Sequence, residues 1–364
     1  MKGISMPTLF DPIQLGAIAA PNRILMAPLT RARATRDHVP TPLMADYYAQ
    51  RAQAGLIISE ATGISRQGLG WPHAPGLWTE EQVEAWKPVI EAVHRAGGRI
   101  VSQLWHMGRL VHSSMSGQQP LSSSPIAAPG DAHTNAGKQP YETPRALTVD
   151  EIPALLDSYA AAARNAIAAG FDGVQIHAAN GYLIDQFLRN GVNHRDDDYG
   201  GSPENRVRLL REVTAIVADA VGADRTAVRL SPNGESQGTD DSDPASLFPL
   251  AAQALDRIGI AFLELRELHA NGSYGSSDVP RQSPLIRRHF SGPLVLNSDY
   301  DAARAQADLD SGLADAISFG RPFIANPDLP LRLRRNAPLN AWDMETFYSG
   351  GAEGYVTYSA LEAA

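Results

Sequence analysis

At 364 residues, with 43% hydrophobic and 20% charged residues, the chain has the composition of a folded globular protein long enough to bury a large core. Its formal charge of −9 and pI near 5.6, with no basic block, argue against nucleic-acid and anionic-membrane partners. The absence of cysteine excludes disulfides, thiolate metal sites, iron–sulfur clusters and a cysteine nucleophile.

From the N-terminus, "MKGISMPTLFDPIQL" lacks a continuous apolar segment of signal-peptide form. No run of about 18 apolar residues, the length of a membrane span, follows anywhere, so a cytoplasmic location is expected. "LFDPIQLGAIAAPNRI" (9–24) reads as a hairpin. Beyond it, short apolar runs alternate with longer helical patterns. The runs are "RILMAP" (23–28), "LIISEA" (56–61), "RIVSQL" (99–104), "DGVQIH" (172–177), "AVRLS" (227–231), "AFLELR" (261–266), "PLVLN" (293–297) and "AISFG" (316–320). Between them, 41–55 opens on Thr41 and Pro42 and closes on Gly55, and 79–98 opens on Thr79 with a kink expected at Pro88. The stretch 148–170 opens on Thr148 with Glu151 at capping-box spacing, and Ser202, Pro203 and Glu204 open another helix. Shorter helices are expected after Asp243, Asp299 and Asn326.

Eight near-continuous apolar strands alternating with helices predict a parallel sheet covered by helices, and eight is the number that closes a (β/α)8 barrel. The fold expected is one α/β TIM barrel with its core at about 8–358, plugged at its N-terminal end by the hairpin. A long insertion (108–147) follows strand three and an extension lies beyond Asn336. A doubly wound sheet is the alternative, although no glycine-rich turn follows "RILMAP".

In such a barrel chemistry collects at the C-terminal strand ends. Those positions hold Thr30, Gln103, His177, Arg229, Arg266, Asn297 to Asp299, Gly320 and Arg321, and Asn180 and Tyr182 follow His177 within six residues. Arginines and amides converging on one mouth are costly to bury unless they meet an anionic, acceptor-rich ligand, which points to a phosphorylated cofactor. Singly, each has a structural reading: Arg229 as an ion pair, Gln103 satisfying backbone groups, His177 as a core histidine, and Arg266 as a surface salt bridge to Glu264 or Glu267. Their joint placement favours the ligand site.

The segments "MAPLTRAR", "HAPGLWTEEQVEAWKPVIEAVH", "QLWHMGR", "HAANGYLIDQFL", "DDYGGSPENRVRLLREV", "FGRPFIANPDLP" and "FYSGGAEGY" together resemble the old yellow enzyme family of flavin-dependent ene-reductases, over residues 8 to 358. The likeness is greatest to the bacterial branch that includes N-ethylmaleimide and nitrate-ester reductases. It implies non-covalent FMN on a TIM barrel, with NADPH or NADH as reductant. By that resemblance Pro28, Thr30, Ala61 and Gln103 meet the flavin ring, and Arg229 faces its electron-rich edge. The phosphate falls to Asn297, Ser298, Asp299, Gly320 and Arg321. Many relatives have a small residue where Asp299 stands, so its carboxylate is expected to turn away and cap the following helix. The acidic "ESQGTDD" (235–241) replaces a Phe-containing loop.

The resemblance also assigns His177 and Asn180 as donors to one substrate oxygen and Tyr182 as proton donor to the α-carbon, with Trp71, Trp105 and Tyr355 lining the pocket. A phenol, with an ordinary pKa of about 10, is protonated at neutral pH. The implied activity is ping-pong reduction of enones, enals, maleimides and nitroalkenes. Alternatives on the same scaffold are nitrate-ester or nitro reduction and a catalytically silent flavin-binding barrel. Metal or Schiff-base chemistry would want carboxylate–histidine clusters or a lysine at the strand ends. None stands there, and no metal is expected. The partners expected are small molecules, with the chain a monomer or small homo-oligomer.

Overall fold

The computed structural model describes residues 6–273, 275–348 and 350–361. A hairpin comes first, β1 (Ile13–Leu15) and β2 (Ile18–Ala20), followed by three barrel strands: β3 (Ile24–Met26), β4 (Ile57–Gly63) and β5 (Ile100–Trp105). The insertion holds β6 (Leu121–Ser122), β7 (Asp131–Thr134), β8 (Gly137–Pro140) and β9 (Arg145–Ala146). The remaining barrel strands are β10 (Gly173–His177), β11 (Thr226–Leu230), β12 (Phe262–Arg266), β13 (Leu294–Asn297) and β14 (Ala316–Phe319). Parallel pairing runs in the order β10, β11, β12, β13, β14, β3, β4, β5 and closes between β5 and β10. The eight apolar runs are thus the eight strands of a closed TIM barrel.

The strands lack polar–apolar alternation because both faces are covered. Every residue of β4, β5, β10, β11 and β14 is buried. Leu15, Ile18 and Ala20 of the hairpin pack with Leu25, Ile58, Val101, Phe262 and Val295, sealing the N-terminal end of the barrel. Gly16 makes this possible: its φ is +59°, and a Cβ there would lie 2.1 Å from the Asp224 carbonyl. The opposite end stays open for polar side chains.

Helix boundaries follow the cap chemistry, with local departures. Thr79 accepts from the Gln82 N–H, and the helix Glu80–Arg95 continues through Pro88. Ser202 caps Pro203–Val221 through the Asn205 N–H. Thr41 precedes Pro42–Gln50, but its hydroxyl donates to the Arg33 carbonyl at 2.7 Å. The Thr148–Glu151 box closes a short 3-10 turn, and the α-helix starts after it, at Ile152. The helix after Asp243 is a full one, Pro244–Ile258. Asp301, not Asp299, caps Ala302–Asp310, accepting from the Arg304 N–H at 2.8 Å.

The C-terminal extension is tied to the barrel by two guanidinium groups from the segment after β3. Arg31 Nε donates to the Phe347 carbonyl (3.0 Å) and its Nη2 to the Gly354 carbonyl (2.8 Å), while Arg33 Nη2 reaches the Thr346 carbonyl (2.8 Å). Tyr355 stacks on Tyr47, with ring centroids 4.1 Å apart and planes 4° from parallel. Beneath lies Glu60, whose Oε2 accepts from the Arg31 and Ala32 N–H groups at 3.1 Å each. Burial outweighs these donors and the nearby arginines, and raises the carboxyl from 4.5 to about 7.

Because the unfolded chain ionises Glu60 at its ordinary value, the native state holds the extra proton between the two values, and stability falls as pH rises through that window. Glu60→Gln keeps an acceptor for the two N–H groups. Chemical denaturation at about pH 5 and about pH 8 should show wild type losing up to about 3 kcal/mol more than the variant. Parallel losses would show that Glu60 does not ionise in this window.

Candidate active site

Strand periodicity decides which side chains reach the open end, since alternate residues share a face. On β12, Phe262 joins the apolar plug, Glu264 occupies the middle layer and Arg266 reaches the mouth. On β11, Ala227 and Arg229 repeat this order. The mouth is a cavity of about 800 Å3.

One wall is the turn after β10. Asn180 and Gly181 both have positive φ, +59° and +80°, and the chain reverses there before the helix Leu183–Leu188. The turn is pinned from below by that helix. Asp185 Oδ2 accepts from the Gly181 N–H (2.8 Å), and Gln186 Nε2 donates to the Gly181 carbonyl (2.7 Å). Asp185 is itself paired with Arg189 at 2.8 Å, both side chains buried. Ser231, just beyond β11, accepts from the Asn180 N–H through its hydroxyl at 2.8 Å. His177, Asn180 and Tyr182 consequently line one side of the cavity together. The Tyr182 ring stands edge-on to Trp105 (4.9 Å, 86°) and to His177 (4.8 Å, 78°).

The His177 tautomer follows from its neighbour. The Ala179 N–H can only donate, and it meets Nδ1 at 3.4 Å, so Nδ1 is the acceptor and Nε2 carries the proton. Burial, followed by the positive charges of Arg229 and Arg266, holds the imidazole well below its ordinary 6.5 and therefore neutral.

The floor is a buried polar chain. Gln103 Nε2 donates to Gln175 Oε1, Gln175 Nε2 donates to Glu264 Oε2 (2.8 Å each), and Ser318 Oγ donates to Glu264 Oε1 at 2.5 Å. Glu264 Oε2 also lies 3.6 Å from Arg229 Nε, too far for a hydrogen bond but close enough to neutralise a buried cation. Arg229 Nη2 donates to Asn297 Oδ1 at 2.8 Å, while Nε has no hydrogen-bond partner among the described residues. A buried guanidinium with donors to spare suits a ring edge carrying acceptors and negative charge. This is the observation on which FMN fits the cavity.

Pro28, Thr30, Ala61, Gln103, Trp71 and Trp105 also line the cavity, as do Asn297, Ser298, Asp299, Gly320 and Arg321 at its far side. Three expectations need correction. Tyr355 is absent from the lining, because its ring is spent on Tyr47 and the Arg31–Arg33 anchor; Tyr348, 5.6 Å from Trp71, takes the pocket position. The Asp299 carboxylate does not turn away. With φ of +49° at Asp299, it accepts from the Ser273 N–H (2.9 Å) and pairs with Arg321 (2.8 Å). Arg266 is no surface ion pair: Glu264 points inward and Glu267 pairs with Arg281, leaving Arg266 to line the cavity.

Sequence reasoning missed Glu264, Asp185, Gln186 and Ser231. Two-residue alternation in "FLELR" was the available signal for Glu264. It also missed the β7–β8 hairpin of the insertion, which contributes Asp131 and His133 to the roof beside Ser236 and Gln237 of "ESQGTDD". Asp241 of that loop is paired with Arg206 on the helix behind, away from the cavity.

Residues 8–340 match the NADH:flavin oxidoreductase / NADH oxidase family. The chain belongs to that family. The old yellow enzyme homologue from Zymomonas mobilis superposes with a TM-score of 0.97 at 62% identity, over 98% of this chain and 100% of that one. Morphinone reductase in complex with tetrahydroNAD gives 0.92 at 47% identity, over 98% of each chain. A putative 12-oxophytodienoate reductase 3 of Oryza sativa subsp. japonica is 43% identical, over 97% of this chain and 93% of that protein. This family member is an FMN-dependent oxidoreductase of the ene-reductase type, served by a nicotinamide reductant. Among the described residues no helix is long and apolar enough to cross a membrane.

Imidazole nitrogen resonances of His177 should show the neutral Nε2–H tautomer at about pH 6, with no titration near the ordinary 6.5. A midpoint near that value, lost in His177→Asn, would remove the fixed-donor reading.

Proposed function

We propose that this protein reduces activated alkenes (enones, enals, maleimides and nitroalkenes) with NADH or NADPH, and that His177, Asn180 and Tyr182 are the residues acting on the alkene. The carrying observation is the convergence of these three side chains on one wall of a cavity whose floor presents the buried guanidinium of Arg229. Thr30, Gln103 and Arg229 would hold the ring of FMN, and Ser298, Gly320 and Arg321 its phosphate. The chemistry that FMN supplies when bound is hydride transfer, from the nicotinamide to the alkene β-carbon.

The chain's own residues supply the rest. His177 Nε2–H and the Asn180 amide face a carbonyl or nitro oxygen, which gains negative charge as the β-carbon accepts hydride. Each such pre-positioned donor is worth about 3 kcal/mol in the barrier. His177 serves because it stays neutral. A protonated imidazole between Arg229 and Arg266 would be repelled by both, and burial adds to that cost. Tyr182 Oη gives its proton to the α-carbon and recovers one from solvent, completing addition of hydride and proton across the double bond. Trp71 and Tyr348 form an aromatic wall against which a flat substrate packs. A cytoplasmic setting, where both nicotinamides are held, is part of this proposal.

Rapid-mixing experiments separate the roles. Tyr182→Phe should slow cyclohexenone reduction by about 100-fold or more while flavin reduction by NADPH stays within a few-fold. Equal slowing of both half-reactions would remove its proton-donor role. His177→Ala combined with Asn180→Ala should weaken binding of a phenol or an enone by at least about 100-fold with FMN still bound. Unchanged affinity would show that the pair does not face the substrate oxygen.

A further inference from the structure

A side-chain amide can present either its oxygen or its NH2 group to a cavity, and only one of these is useful to an oxygen gaining negative charge. Nothing in the Asn180 backbone decides between them: its N–H goes to Ser231 Oγ (2.8 Å) and its carbonyl accepts from Gln237 Nε2 (3.3 Å). The deciding contact is on the side chain, where Arg266 Nη1 lies 3.2 Å from Asn180 Oδ1. A guanidinium has donors and no acceptor, so the amide oxygen is the atom that must face it. The NH2 group is thereby turned the other way, and no hydrogen bond among the described residues occupies it. Ala179 fixes His177 by the same logic, its N–H claiming Nδ1 and leaving Nε2–H as donor.

We propose that Arg266 is a positioning residue that locks the Asn180 amide as a donor and so fits the His177–Asn180 pair to substrates presenting an acceptor-only oxygen, such as a carbonyl, nitro group or phenolate. This rests on the assignment of that pair to the substrate oxygen. The geometry supports it in two further ways. Arg266 ends β12 on the face shared with Glu264, so a strand rather than a loop sets its Cα. Its charge also reaches His177, acting with Arg229 to keep the imidazole neutral. A methionine at 266 would retain much of the stem but lose the charge and the claim on Oδ1. The amide would then be free to turn its oxygen toward the ligand.

The test is a double-mutant cycle on the FMN-loaded protein, reading the dissociation constant of 4-chlorophenol from the change it causes in the flavin spectrum. Arg266→Met should weaken binding about tenfold, as expected for losing one charge-assisted hydrogen bond and the donor it orients. In an Asn180→Ala background the same substitution should weaken binding no further. If Arg266→Met fails to retain FMN, Arg266→Lys takes its place in the cycle; it keeps a cation and donors but not the fork, and its smaller loss should likewise vanish in the Asn180→Ala background. Wild-type affinity in Arg266→Met, or an equal loss with and without Asn180, would overturn the positioning role while leaving the pair's assignment intact. Wild-type affinity in Asn180→Ala would overturn the assignment itself, and this proposal with it.

Discussion

The structure depends on one burial: a guanidinium, Arg229, set among strand ends above a carboxylate, Glu264, that is fully removed from water. Neither charge could sit there alone, since desolvating an unpaired ion costs several kcal/mol or more. Together they are tolerable because Gln175 and Ser318 hydrogen-bond the carboxylate, and Asn297 accepts from the guanidinium. The pair leaves a cation facing the cavity with donors unused. That residual demand suits the mouth of this barrel to an electron-accepting ring rather than another layer of core.

Around this floor the walls follow a common rule. Several polar side chains at the mouth are oriented by partners able to play only one hydrogen-bonding role. Ala179 N–H fixes the His177 tautomer, Arg266 fixes the Asn180 amide, and the Glu264 carboxylate fixes the direction of Gln175, which in turn directs Gln103. The Asp185–Arg189 pair and Gln186 hold the Asn180–Gly181 turn that sets Asn180 and Tyr182 in the cavity wall. Such pre-positioning leaves little reorganisation for the moment of reaction, which is how fixed dipoles outperform water at stabilising developing charge.

The roof is built from different material. It combines an insertion hairpin, an acidic loop whose Asp241 is anchored to the helix behind, and a C-terminal segment bound by Arg31 and Arg33. These are loops and extensions rather than barrel strands or their helices. Substrate preference can therefore change with them while the barrel floor stays as it is.

The sequence by itself determined the barrel and the polar residues that gather at its open end. Its eight apolar runs fall on the eight observed strands because a strand buried on both faces must be apolar along its length. The close spacing of His177, Asn180 and Tyr182 after such a strand was legible as a polar cluster, and the structure brings all three to one cavity wall. Only the tertiary structure decided the roles that depend on partners distant in the chain. Arg266 beside Glu264 and Glu267 reads as a surface ion pair until strand pleating and barrel closure send Glu264 inward and bring Arg266 against a residue 86 positions earlier. Tyr355 reads as a pocket residue until Tyr47, far away in sequence, claims its ring. Local pattern records what each residue can do; which atom finally faces it is set by closure of the sheet and the folding-back of the chain's end.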